Sequence, residues 1–169
     1  MAVKSVLMLG NPKLREKSTT TLEFGMELRE ILKDLRDTLT HLQKTKRIGR
    51  ALAAPQIGCM RKVVYVQTPE RAFVLVNPKI VSKSKETFEV WDSCFSFNVS
   101  FFVKIRRHRT VKVRYQDESG KPKTEEFTGG MSELMQHEID HLHGILATDY
   151  LKDVKQIIMR EEWEKRCAQ

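Results

Sequence analysis

Two histidines four residues apart, with a carboxylate beside the first, constrain this chain more than anything else in it: Gln136-His137-Glu138-Ile139-Asp140-His141. On an α-helix, residues i and i+4 project from one face, a turn apart. Two imidazoles so placed can ligate one divalent metal, and the glutamate between them can serve a metal-bound water as general base and acid. The bland alternative is a surface helix carrying two histidines by chance, because the motif alone recurs in unrelated sequences. The preceding segment argues for a half-buried helix. Gly129-Gly130 offers a loop, Ser132 a candidate N-cap, and Met131, Leu134 and Met135 apolar residues for a core.

A chain of 169 residues is expected to be a single domain, 1–169, large enough to bury a core without staples. No apolar run approaches the roughly 20 residues a membrane span needs. Met1 to Met8 is too short an apolar stretch for a signal peptide. The expected location is therefore cytoplasmic. Cys59, Cys94 and Cys167 are odd in number and far apart, which argues against a disulfide framework. The net charge of +8 would suit an acidic partner. Its basic residues are spread through the chain, however, so no specific nucleic-acid face is expected, nor a membrane one. The densest cluster, Lys104 to Arg109, reads as a solvated strand edge.

Apolar residues recur with helical period from Phe24 to about Leu42. Lys62 to Thr68 and Ala72 to Asn77 read as strands joined through Pro69-Glu70-Arg71, with further strands at Thr87 to Val90, Thr110 to Tyr115 and Thr124 to Phe127. A last amphipathic helix is expected from about Asp153 to Arg166, burying Val154, Ile157, Ile158 and Trp163. Strands and helices that do not alternate as βαβ units indicate an α+β fold.

A catalytic site of this type needs a third protein ligand and an open position. His143 is too near His141 to share its face, and His41 and His108 lack supporting context. Cys94 follows an apolar strand; a small buried hydrophobe is its alternative reading. Three segments taken together carry a resemblance. Gly49-Arg50-Ala51-Leu52-Ala53-Ala54-Pro55-Gln56, Asp92-Ser93-Cys94-Phe95-Ser96 and Gln136 to Gly144 follow the order and spacing of the motifs GxGLAAPQ, EGCLS and QHExDHLxG. The chain resembles the peptide deformylases over essentially its whole length. The resemblance implies antiparallel sheets packed around a central HExxH helix, with an N-terminal and a C-terminal helix. It implies hydrolysis of the N-formyl group from the N-terminal methionine of new polypeptides. Cys94, His137 and His141 match the metal ligands, Glu138 the proton carrier, and Gln56 and the Phe95 N–H the oxyanion donors. The metal expected is one divalent transition ion, iron(II) in the cell, with zinc or nickel as alternatives. The expected partner is a formylmethionyl peptide or nascent chain, with association with the ribosome as a further expectation.

The departures from the motifs cluster where substrate would lie. Ala51 replaces a glycine, Asp92 and Ser93 replace Glu-Gly, Phe95 replaces leucine, and Arg50 stands where an apolar residue is usual. With Val90, residues Arg50, Ala51, Asp92 and Ser93 are the candidate substrate contacts. Added substituents at 51 and 93 are expected to crowd a peptide laid in as an extra strand. Two readings follow: a working deformylase with altered preference, or a divergent homologue with a binding or regulatory role. Retention of Glu138 and Gln56 favours the first, since mere metal binding needs no proton carrier.

Overall fold

The computed structural model describes residues 3–167 of the chain; Met1, Ala2, Ala168, Gln169 and the side chain of Cys167 lie outside what it describes. After a short 3-10 turn at Pro12–Arg15 comes helix α1, Met26–Lys46. Strands β1 (Ala51–Ala53), β2 (Val63–Gln67) and β3 (Ala72–Lys83) follow, then β4 (Thr87–Asp92), β5 (Phe101–His108), β6 (Thr110–Gln116) and β7 (Pro122–Thr128). Helix α2 is Gly129–His141, and the chain closes with β8 (Ile157–Met159) and helix α3 (Arg160–Cys167).

The strands form two antiparallel sheets, ordered β1-β2-β3-β6-β7 and β4-β5-β8. Alternation along β2 explains the larger one. Val63 and Tyr65 face the leucine stripe of α1 (Leu28, Leu32, Leu35, Leu39), while Val64 and Val66 face Leu134, Met135 and Ile139 of α2. Both faces are covered, so β2 reads as a continuous apolar run. Burial of one such leucine is worth about 1.5–3 kcal/mol, which makes the two helix seams the main source of stability. Behind α2, Val103 and Ile105 of β5 pack with Leu14, Leu146 and Ala147. Helix α2 thus lies between the sheets, as the α+β expectation required.

Three expectations are corrected. Ser132 is not a cap: Thr128 holds that position, and the buried Ser132 hydroxyl donates to the His108 carbonyl. Segment 104–109 is solvated only in part: Arg106 and Arg109 are exposed, but Ile105 is buried and Arg107 is only 3% exposed. The last helix does not begin at Asp153. Ile157 to Met159 pair with Val103 to Phe101 as β8, leaving Val154 78% exposed and a helix only from Arg160. Two adjacent β-branched isoleucines beside an unpaired edge of β5 favour the strand over helical propensity.

Candidate metal centre and its pocket

Helix α2 presents His137 and His141 on one face, and both are buried. Their Nε2 atoms lie 3.2 Å apart, and Cys94 Sγ is 3.2 Å from Nε2 of His141. Cys94 comes from the loop between β4 and β5, where it precedes a 3-10 turn over Phe95–Phe97. All three donor atoms fall within 4.8 Å of one another, the only such group of three among the described residues. Donors about 2.0–2.1 Å (histidine) and 2.3 Å (cysteine) from a shared tetrahedral ion sit roughly 3.3–3.6 Å apart, so the set fits one divalent metal with little movement. His143, by contrast, turns its ring to the Ile139 carbonyl.

A buried polar chain lies behind the ligands. Asp92 Oδ1 is 2.8 Å from Nδ1 of His137, and Oδ2 accepts from Arg107 at 2.9 Å. Arg107 also reaches Asp140 at 2.5 Å, and Asp140 accepts from the Tyr150 hydroxyl at 3.0 Å. Burial opposes the charge on Asp92, but His137 and Arg107 outweigh it and hold the carboxyl far below its usual range. Burial likewise opposes protonation of His137, yet Asp92 and Cys94 raise it well above an ordinary histidine. Burial and the neighbouring His137 lower His141. The two imidazoles are thus pushed in opposite directions, His137 towards its protonated form and His141 towards its neutral one.

Glu138 is buried, and its Oε2 has no hydrogen-bond partner among the described residues. Burial pushes this carboxyl up to about 7 in the metal-free site; a cation beside it draws it down again. Gln56 is fixed by the Ala53 N–H donating to its Oε1 at 2.9 Å, which turns Nε2 toward Cys94 Sγ at 3.3 Å. The Phe95 N–H opens its 3-10 turn and so has no acceptor inside it. Its ring packs on Gly49, whose φ of 106° suits glycine and where a Cβ would overlap the ring.

These groups open on a cavity of about 390 Å³, lined by Gln56, Cys94, His137 and Glu138 at its base. Residues 3–157 match the family model described as polypeptide deformylase. The chain belongs to the polypeptide deformylase family. It is 33% identical over 156 residues to a peptide deformylase of Thermotoga neapolitana, covering 92% of each chain. Against that of Brucella suis it is 32% identical over 174 residues, covering all of this chain and 96% of the relative. The fold is similar to the crystal structure of the Thermotoga maritima peptide deformylase, with a TM-score of 0.83 at 29% identity, covering 90% of this chain and 100% of that one. A deformylase from Synechococcus elongatus in complex with actinonin gives 0.85 at 26% identity, covering 98% and 86%. Members of this family are metal-dependent enzymes, and the Cys94, His137 and His141 cluster is the candidate site for a divalent ion.

The expected substrate contacts divide. Arg50, Ala51, Val90 and Ser93 line the cavity. Asp92 does not: it is 1% exposed and sits behind His137, where its charge orients the ligand instead of meeting substrate. The Ser93 hydroxyl is occupied, donating to the Phe101 carbonyl at 2.7 Å, and the Ala51 methyl is buried in the core under α2. Arg50 pairs with Glu133 of α2 at 2.6 Å and with the Gly130 carbonyl at 3.0 Å. Arg107 and Glu133 were missed because each reads in sequence as ordinary surface charge, and Asp140 because the motif match assigned it no role. Only the Asp between the two histidines, part of the third motif, gave any signal.

Proposed function

We propose that the chain removes the N-formyl group from the N-terminal methionine of newly made polypeptides, and that Glu138 carries the protons. The observation supporting this most strongly is the enclosed Glu138 carboxylate, with an unpartnered oxygen, between two histidines that converge with Cys94. When bound there, a divalent metal would polarise the formyl carbonyl and lower the pKa of a water from 15.7 towards about 7. The residues supply the rest. Glu138 accepts a proton from the attacking water and returns one to the departing amine, so that the formyl C–N bond breaks to formate and a free N-terminus. Gln56 Nε2 and the Phe95 N–H donate to the oxygen that becomes negative, each worth about 2.7–4 kcal/mol in comparable sites. Edge strands β1 and β4, one from each sheet, flank the cavity and can take an extended peptide between them.

Iron(II) as the native ion, a cytoplasmic setting and action on chains leaving the ribosome belong to this reading. No helix among the described residues is long and apolar enough to cross a membrane. The test is formate release from formyl-Met-Ala-Ser by protein loaded with Fe(II) without oxygen, with acetylated and unformylated peptides as controls. Release from the formylated peptide alone supports the proposal. Equal treatment of the acetylated peptide, or none of either, sinks it.

A further inference from the structure

Helix α3 contributes part of the cavity wall. Arg160 and Trp163 both line it, and both come after residue 157, where the match to the family model ends. They are three apart on the helix and so share a face. Between them lies Phe102 of β5. The Trp163 ring stacks on it at 4.6 Å, and the Arg160 guanidinium lies over it at 4.6 Å.

This wall is fastened to the catalytic loop. The Arg160 N–H donates to Ser100 and its Nε to the Val99 carbonyl at 2.6 Å. Val99 has φ of 52°, a left-handed value that a β-branched residue rarely adopts, and it too lines the cavity. A conformation so unfavourable persists only where its surroundings impose it. Arg160 supplies part of that restraint, two residues past the turn that carries the Phe95 N–H.

The geometry points to Trp163, stacked on Phe102 and anchored by Arg160, as a specificity-determining residue that grips the peptide beyond its formylated methionine. The inference rests on the deformylase reading and deepens it. A cavity of about 390 Å³ is in the range that encloses drug-sized ligands, about 300–1,000 Å³. It therefore has room for more than one residue. The methionine carrying the formyl group is tied to the metal end, beside Glu138 and Cys94. The same lining also offers the Trp163 ring, with Phe102 buried behind it. Aromatic faces favour contact with apolar side chains and peptide planes. The residues served are the second and third of the substrate.

The test compares formyl-Met amide with formyl-Met-Leu-Phe amide on the metal-loaded full chain and on Trp163→Ala and Trp163→Phe. Wild type should prefer the tripeptide through a lower KM. Trp163→Ala should lose about tenfold of that preference, the usual effect of truncating one aromatic anchor, again in KM and not in kcat. Trp163→Phe should restore most of it. Equal losses on both substrates, or an unchanged preference in Trp163→Ala, would overturn the assignment while leaving deformylation intact. If wild type released formate from neither substrate, the deformylase reading would fall and this assignment with it.

Discussion

Asp92 stands 2.8 Å from the outer nitrogen of His137, and the same carboxylate holds Arg107 through its other oxygen. That arrangement fixes which nitrogen of His137 faces Cys94. A ligand histidine oriented by a carboxylate is a recurrent device of metal sites, and losing the carboxylate commonly costs 10- to 100-fold in affinity. Asp92→Asn should therefore bind the metal about 10- to 100-fold more weakly in a chelator competition, with Asp92→Glu recovering much of it. Unaltered metal affinity in Asp92→Asn would show that the contact does not orient the ligand.

The same pair predicts a pH signature in the metal-free protein. Asp92 is depressed below its unfolded value of about 3.9, despite its burial, by His137 and Arg107. A carboxyl of that kind contributes stability above pH about 4 and loses it as the pH falls below. Denaturant midpoints of wild type should fall as the pH drops below about 4, whereas in Asp92→Asn, where burial alone acts on His137, the fall should already begin near pH 6.5. At neutral pH the variant should already be destabilised by roughly 3–5 kcal/mol, since Arg107 is left with Asp140 alone in a buried site. Parallel curves would contradict this.

Gly49 and Phe95 should behave as a coupled pair. An alanine at 49 would meet the Phe95 ring and would hold an L-residue at φ of 106°. Gly49→Ala is expected to cost about 1–3 kcal/mol of stability and to lower kcat by displacing the turn at Phe95. In a Phe95→Leu background the smaller side chain leaves room, so the second substitution should cost less by about 0.5–3 kcal/mol, the range for touching residues. Strict additivity in a double-mutant cycle would mean that the ring does not transmit the strain.

Cys94 is the candidate ligand contributed by a loop, not by α2. Cys94→Ala should leave the two histidines in place yet fail to retain one metal per chain after dialysis, as read by elemental analysis. Retention at full stoichiometry would remove Cys94 from the ligand set.

How much of this was legible beforehand follows the range of the interactions. His137 and His141 are set by one turn of helix, and the α1 stripe by the same period, so both could be read locally. Cys94 and Gln56 needed the motif order, because 38 residues separate two atoms that end 3.3 Å apart. Arg107 sat in a run of basic residues and looked solvated; its partners Asp92 and Asp140 lie 15 and 33 residues away and no local pattern links them. The stretch from Val154 to Trp163 has helix-like spacing, but pairing with β5 drew three of its residues into a strand. That switch carried Trp163 out of the core and onto the cavity wall.

The most direct test of the whole account separates metal binding from turnover in Glu138→Ala. The Oε2 of this buried carboxylate is without a hydrogen-bond partner among the described residues. The variant should hold one metal per chain as wild type does, yet release formate from formyl-Met-Ala-Ser about 10²- to 10⁴-fold more slowly in kcat. A metal-replete Glu138→Ala within tenfold of wild type would contradict the assignment of Glu138 as the proton carrier, and with it the mechanism derived for this site.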